Sequence, residues 1–400
     1  MLTSPHRVLK ALGTIVVAMA VLAAAWAPLA ADDPVSTNVT FNREIIRIIQ
    51  RKCESCHAAG GLAMSLSDYR DARAWGRAIR EELVEHRMPP AIVARGYGQY
   101  ETDPTLNARE MATFLTWLDG GMPRGDEGDR PATRIAVDPL DDVDSGAGIR
   151  LSLPAQTVPA GQDLIVRRVT IGAGAAAGRA VSRVQFRPGN RRLLRGAVIF
   201  AASAGSAPSL DSARDALSAS RRARNQADDD NLRWIGAWLP WQHAAVPPAG
   251  YAFALPPSAD LVVDLYYRSA DSESIDQSTL DLSFASDAAG GRIDEVALEA
   301  SGKGSPSIRD RMEVSRPTTV WAMHPMLDSS TTSMELRAER PDKSVEVLLW
   351  IPKARAEWPL ALVMREPVLL PAGSTLSLVA ETDPSHTGAS QARVTLSVLR

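Results

Sequence analysis

Residues 50–61 read QRKCESCHAAGG, and they hold Cys53 and Cys56, the only two cysteines among 400 residues, with His57 directly behind them. Two thiols three positions apart lie on one turn of a helix. A thioredoxin-like dithiol would need a βαβ context, whereas the flanking sequence has helical periodicity. A structural zinc site needs four protein ligands, and with no other cysteine and only His86 nearby the set cannot be closed.

Covalent haem attachment explains both the spacing of the two thiols and the absence of other cysteines. In a C-x-x-C-H pattern the thiols meet the two vinyl groups of a porphyrin, and the histidine lies under the iron. We therefore expect Cys53 and Cys56 to bind one haem c covalently and His57 to be the proximal iron ligand. A chance occurrence of the pattern is the remaining alternative.

A distal iron ligand has to come from elsewhere, and a thioether or an imidazole is the usual choice. The neighbouring sequence offers five candidates: Met64, His86, Met88, Met111 and Met122. Met88 is favoured because Pro89 and Pro90 fix an extended backbone that can hold its sulfur rigidly over iron. Met111 falls on an apolar helix face, where methionine is usually a core residue. Met64, His86 and a five-coordinate iron with Met88 as an apolar plug stay open.

Residues 38–126 have the periodicity of three short helices and predict a small all-α domain. The candidate N-caps are Asn42, Ser67 and Asn107, because short polar side chains at these positions precede apolar-periodic runs. Glu110 lies three residues after Asn107, which is the spacing of a capping box.

After this segment the pattern changes to short runs rich in β-branched residues, bounded by Pro, Gly, Asp and Ser. The clearest runs are residues 163–171, 182–190, 195–203, 259–269, 344–352 and 374–383. Many short strands without long amphipathic helices predict a jelly-roll-like double β-sandwich, divided into residues 149–289 and 290–400. Residues 127–148 predict a linker before it, and residues 202–230 predict an exposed loop within it.

The N-terminus indicates the compartment. Basic residues precede an apolar run over residues 11–26, and small residues follow it up to Ala31, so residues 1–31 are expected to be a signal peptide. An uncleaved membrane anchor is the alternative, since the run is nearly long enough to span a bilayer. Both readings place the mature protein outside the cytoplasm, and we expect it in the periplasm.

The balance of charges limits the partners. Lys and Arg number 44 against 47 Asp and Glu, so no excess of charge favours nucleic acid. We expect a periplasmic redox partner protein, whose identity the sequence does not give. Contact with a membrane is expected only if the N-terminal segment is retained.

Residues 39–126 resemble the single-haem cytochrome c domain that precedes a copper type II, ascorbate-dependent monooxygenase-like region in many bacterial exported proteins. The resemblance rests on the cysteines and histidine of residues 53–57 and on RMPP at residues 87–90, and it runs almost without a break. It implies a cytochrome c fold in which Cys53, Cys56 and His57 bind the haem.

The β-rich remainder resembles the two-domain peptidylglycine hydroxylase-like monooxygenases, most clearly over residues 182–200, 259–270 and 322–352. That family binds copper through histidines and a methionine near its C-terminus. The corresponding positions here are Arg195 and Gly196 for a His-His pair, Tyr266, Tyr267 and Arg268 for HYH, and His324 and Met326 for a His-x-His pair, with no methionine after Met364.

Copper chemistry needs imidazoles around the metal, and an arginine at a ligand position sets a fixed positive charge against any cation. We therefore expect the β region to be free of copper, although a residual site at His324 and Met326 stays open. A cluster of Trp234, Trp238 and Trp241 predicts either a packed sandwich edge or an aromatic contact surface.

The sequence thus predicts an exported c-type cytochrome that carries one electron, with a β-sandwich platform for docking a partner. An electron carrier is favoured over a catalyst. Two alternatives remain: a copper- and ascorbate-dependent monooxygenase with a fused haem donor, and a haem-based sensor or scaffold.

Overall fold

A computed structural model describes residues 37–90, 93–131, 148–161, 164–206, 232–242, 244–268, 271–286, 290–355 and 357–400. The described chain is mostly β, with its α-helices in the N-terminal part of these residues. The predicted signal peptide, residues 132–147 of the predicted linker and most of the predicted loop at 202–230 lie outside the described residues. Within the described residues, no helix is long and apolar enough to cross a membrane.

The helical region, residues 37–131, contains a π-helical turn and five short α-helices. The turn is Phe41–Ile45, and the helices are α1 (Ile46–Lys52), α2 (Glu54–His57), α3 (Tyr69–Ala74), α4 (Gly76–Val84) and α5 (Ala108–Asp119). Their core is apolar and aromatic, with Phe41, Ile49 and Trp117 fully buried. This core fixes the positions of the loops that carry the candidate site.

The helix starts agree with the sequence in one case and differ in two. Asn107 and Glu110 form the predicted capping box at the start of α5. The prediction of Asn42 as a cap is wrong, because Thr40 accepts the bond from the Arg43 amide and starts the first helical turn two residues earlier. The prediction of Ser67 is also wrong, because the carboxylate of Asp68 caps α3.

Eighteen strands make up the rest of the described chain. The first ten are β1 (Gly148–Ser152), β2 (Gln156–Val158), β3 (Ile165–Gly172), β4 (Ala180–Arg187), β5 (Leu194–Ser203), β6 (Arg233–Trp238), β7 (Tyr251–Ala254), β8 (Ala259–Tyr267), β9 (Ser274–Asp276) and β10 (Thr279–Phe284). The others are β11 (Gly291–Lys303), β12 (Ser307–Glu313), β13 (Thr318–Leu327), β14 (Thr331–Glu339), β15 (Val345–Ile351), β16 (Leu362–Leu370), β17 (Thr375–Thr382) and β18 (Ala389–Leu399).

The strands form two sandwiches that share one long sheet. Its order is β1-β10-β4-β7-β11-β18-β13-β16. The four-stranded sheet β3-β8-β5-β6 shares one apolar core with the β1–β7 half, and the sheet β12-β17-β14-β15 shares another with the β11–β16 half. Apart from β2 and β9, which pair with each other, every described strand belongs to one of these sheets.

The two halves of the long sheet meet at a narrow parallel seam. Strand β11 pairs with β7 only through Gly291 with Tyr251 and Arg292 with Ala252. A side chain at position 291 would place its Cβ 2.5 Å from the Tyr251 ring, so the seam requires glycine there.

A segment of the helical region also pairs with the second sandwich. Tyr100 forms a β-bridge with Met364 of β16, and the amide of Glu101 donates to the carbonyl of Val363 at 2.9 Å. The amide of Ala94 donates to the carbonyl of Trp350 at 2.7 Å. The helical region is therefore fastened to the β region by main-chain hydrogen bonds.

Candidate functional site

A cavity of about 350 Å³ lies between the helical region and the β region, and we call it the interface cavity. On the helical side its lining includes Cys53, Cys56, His57, Met64 and Met88. On the β side its lining includes Arg195, Trp241, Arg268, Arg355 and Trp358. The structure thus brings all four residues predicted for the site to one cavity.

The two thiols lie on a tight helical turn. Cys53 separates α1 from α2, and its carbonyl accepts hydrogen bonds from the amides of Cys56 at 3.1 Å and His57 at 2.9 Å. Both thiols are free and not joined in a disulfide. Burial raises the pKa of Cys53 and of Cys56 to about 12, so each is a neutral thiol in an apolar setting.

The imidazole of His57 is oriented by the backbone. Its Nδ1 lies 2.9 Å from the carbonyl oxygen of Met64. Because a carbonyl can only accept, Nδ1 carries the proton and Nε2 keeps a lone pair. Burial also lowers the pKa of His57, which favours the neutral ring. An imidazole held in this way through its other nitrogen is the usual form of a histidine metal ligand.

Met88 reaches the cavity from a loop that follows α4. The amides of Arg87 and Met88 both donate to the carbonyl of Glu82, at 2.8 and 3.2 Å. The Arg87 guanidinium pairs with Glu81 at 3.1 Å and with Glu82 at 3.0 Å. The loop that carries the thioether is therefore tied back to the last turns of α4.

The other candidates for the distal ligand separate into two groups. Met64 also lines the interface cavity, but its carbonyl accepts a hydrogen bond from Nδ1 of His57, so its backbone is held next to the proposed proximal ligand. Met111 and Met122 pack against the helical core instead. His86 is exposed and is not part of the cavity lining. Met88 is the thioether that approaches from a separate loop.

The structure describes the positions that the resemblance aligns with copper ligands in the first sandwich. A Cβ on Gly196 would lie 2.6 Å from the ring of Pro359, so a larger residue there would require the surrounding side chains to shift. Tyr267 is buried, and its hydroxyl donates to Asp276 at 2.8 Å. Arg195 and Arg268 belong to the interface cavity.

A second, smaller cavity of about 50 Å³ lies where the two sandwiches meet, and its lining includes Tyr266, Glu295, His324 and Met326. Nδ1 of His324 lies 2.5 Å from the carbonyl oxygen of Leu360. Burial raises the pKa of Glu295 to about 7. Among the described residues, no three His, Cys, Asp or Glu side chains are grouped as metal ligands would be.

Sequence reasoning did not find the β-side wall of the interface cavity. The predicted tryptophan cluster divides, because Trp234 and Trp238 are buried in the first sandwich, whereas Trp241 packs against Trp358 with ring centroids 5.0 Å apart. Arg355 lies in a stretch with no motif. No local pattern joins these residues, since the fold alone brings them together.

Comparison with known proteins identifies no relative for the whole chain. No family model matches it, and no curated protein matches it. Among solved structures, the major capsid protein P2 of bacteriophage PM2 aligns with 63% of this chain and 97% of its own at 11% identity and a TM-score of 0.28. Allantoicase aligns with 56% of this chain and 76% of its own at 12% identity and a TM-score of 0.17. The PBSX exported protein XepA aligns with 68% of this chain and 92% of its own at 8% identity and 0.18. Likenesses this weak carry no argument.

Proposed function

We propose that this protein is an exported c-type cytochrome that carries one electron at a time. The observation that carries the proposal is the convergence on one cavity of two unbridged thiols, an imidazole with its Nε2 lone pair available, and a thioether from a separate loop. These are the donors that covalent haem attachment and two-sided iron ligation require. The apolar surroundings suit a porphyrin.

In this proposal Cys53 and Cys56 hold the haem through thioethers, His57 ligates the iron through Nε2, and Met88 ligates it from the other side. A haem bound in this way supplies a one-electron couple. The bond from His57 Nδ1 to the Met64 carbonyl fixes the ring plane and raises the basicity of Nε2. With His57 and Met88 both bound to the iron, a substrate would have no place on it, and this would favour electron transfer over catalysis.

The β region then serves the electron carrier as a platform, and it acts outside the cytoplasm, where a periplasmic redox partner docks. A side chain at position 196 would place its Cβ 2.6 Å from Pro359, so a histidine ligand would not fit there without a shift, and this supports a β region that holds no copper.

The direct test is to express the full chain with its own N-terminus in a host that attaches haem covalently. We expect haem staining to stay with the polypeptide after denaturing electrophoresis, and elemental analysis to give one iron and no copper per chain. Loss of all haem to acid-acetone extraction would overturn the proposal. Two equivalents of tightly bound copper with oxygen consumption on ascorbate would instead revive the monooxygenase alternative.

A further inference from the structure

Basic residues outnumber acidic ones in the lining of the interface cavity. Four basic residues contribute to its lining, whereas Glu82 is its only acidic residue among those described. The Glu82 carboxylate pairs with Arg87 at 3.0 Å, and Glu357, which lies outside the lining, pairs with Nε of Arg355 at 2.8 Å. The proposed donors add no charge, because thioethers and a neutral imidazole are uncharged. An anionic group would fit among these basic side chains.

Three of the four basic residues come from the β region, and two of them hold the loops of the candidate site. The guanidinium of Arg268 donates through Nη1 to the carbonyl of Leu62, in the loop between Cys56 and Met64. Arg355 donates through Nη1 to the carbonyl of Arg87, next to Met88, at 3.2 Å. The β region therefore contacts both the His57 side and the Met88 side of the cavity.

Arg195 completes this wall beside an aromatic pair. Its Cζ lies 5.8 Å from the ring centroid of Trp358, which packs on Trp241. The fourth basic residue, Lys52, belongs to the helical side, and its ammonium donates to the carbonyl of Asp103 at 2.8 Å. The cationic part of the cavity is thus mainly a property of the β region.

We propose that Arg195, Arg268 and Arg355 bind the two propionate carboxylates of the haem. This inference rests on the proposed function, since it assigns partners to the same cofactor. Guanidinium groups bind carboxylates through parallel N–H bonds, and such pairs are strongest when partly shielded from water. The β region is then a wall of the haem site itself, built at two positions, 195 and 268, where the resembling enzymes present copper ligands.

The test uses the full-length protein with the single variants Arg195→Gln, Arg268→Gln and Arg355→Gln. Arg316→Gln is the control, because Arg316 is an exposed arginine of the β region outside the cavity lining. Covalent haem content, reduction potential and the resonance Raman bending bands of the propionates are measured for each, with circular dichroism to verify folding.

Loss of a cation beside a carboxylate leaves negative charge near the iron and favours the oxidised state. We expect each cavity variant to lower the equilibrium constant for reduction about three- to tenfold, where tenfold corresponds to 59 mV for one electron. The propionate bands should shift in the same variants. Arg268→Lys, which keeps the charge, should recover most of the potential but not the band positions, and Arg316→Gln should change neither.

The outcomes separate the two proposals. A wild-type chain without covalent haem would sink the proposed function. Wild-type chain with covalent haem, but with unchanged potential and unchanged propionate bands in all three cavity variants, would overturn only the arginine assignment. An equal loss of potential in Arg268→Lys and Arg268→Gln would also overturn it, because charge would then not be the cause.

Discussion

At the scale of single residues, the proposed haem site has two candidate sulfur ligands. Met64 and Met88 both line the interface cavity, but the carbonyl of Met64 is engaged by the ring of His57. Met88 stands on a different loop, where the amides of Arg87 and Met88 both donate to the carbonyl of Glu82 and two buried prolines follow. The distal position therefore belongs to Met88 in the proposed site.

Met88→Ala should abolish the weak far-red charge-transfer band that marks a sulfur–iron bond in the oxidised protein, because its thioether would be gone. Met64→Ala should keep the band, and so should Met111→Leu, which changes a methionine of the helical core. Absorption spectra of the three oxidised variants decide the matter. Loss of the band in Met64→Ala alone would move the assignment to Met64.

Gly196→Ala should destabilise the protein by about 1–3 kcal/mol, because the new Cβ would lie 2.6 Å from Pro359 and 3.0 Å from Leu239. Gly172→Ala is the matched control, since nothing lies within 4 Å of a Cβ there, and it should be neutral or stabilising by up to about 1 kcal/mol. Denaturant unfolding measures both. Equal stabilities for the two variants would contradict the steric argument.

Glu295 should make stability fall as pH rises. Burial raises its pKa to about 7 in the folded protein, against about 4.3 in an unfolded chain. Between these values the unfolded state releases the proton and the folded state keeps it, so the free energy of unfolding decreases with pH. Glu295→Gln should lose this part of the decrease when stability is compared at pH 5 and pH 8. The same slope in both proteins would refute the assignment.

The sequence predicted the helix N-cap that is formed by local hydrogen bonds. It gave the wrong residue for the two N-caps where the side chain bonds to a distant partner instead. The capping box of Asn107 and Glu110 is closed within four residues, so its pattern was sufficient. Asn42 looked like a cap, but it is buried and its amide donates to the carbonyls of Gly125 and Asp126, more than eighty residues away. Ser67 donates to the carboxylate of Glu54 instead of capping α3.

The sequence also predicted some of the strands and missed others. Each of the six runs that the sequence predicted contains a strand. Strand β11 was not among the predicted runs although it is the longest described strand, since polar residues such as Asp294 and Glu299 separate its buried apolar positions. It pairs with β18 from Ile293 to Lys303, and that partner lies about a hundred residues away.

Asn107→Ala should destabilise the protein by about 1 kcal/mol, because the Glu110 amide at the start of α5 would lose its side-chain acceptor. Arg109→Ala, an exposed change in the first turn of the same helix, should stay within about 0.5 kcal/mol of wild type. Thermal unfolding of both variants tests this. A loss in Arg109→Ala as large as that in Asn107→Ala would show that the cap is not responsible.

Across the whole molecule, the candidate site was predictable only in part. Cys53, Cys56 and His57 belong to one local motif, and Met88 was identified from the prolines behind it. Arg268 and Arg355 have no such motif, because strand pairing and the contact between regions bring them to the cavity. The β-side lining of the interface cavity therefore cannot be predicted from local sequence patterns.

Tyr100→Phe should lower the free energy of unfolding by about 1–2 kcal/mol, because it removes a hydrogen bond between the helical and β regions. Its hydroxyl donates to the carbonyl of Leu348 at 2.6 Å, and Leu348 lies in a bulge of β15 where the ladder with β14 skips a residue. Tryptophan fluorescence and haem absorbance should follow one unfolding transition in wild type and in the variant. Tyr97→Phe, at an exposed tyrosine of the same segment, is the control.

Two separate transitions in the wild-type protein would contradict the idea that the regions unfold together. Equal losses of stability in Tyr97→Phe and Tyr100→Phe would remove the role of the bond to Leu348.

The interface cavity also imposes an order in time. Its walls run from Lys52 to Trp358, so it closes only when almost the whole chain has folded. Under the proposed function, we expect haem to be joined to Cys53 and Cys56 before the β-side wall packs against the helical side. Maturation then precedes closure, and the finished protein keeps for its lifetime the haem that it received before it was fully folded.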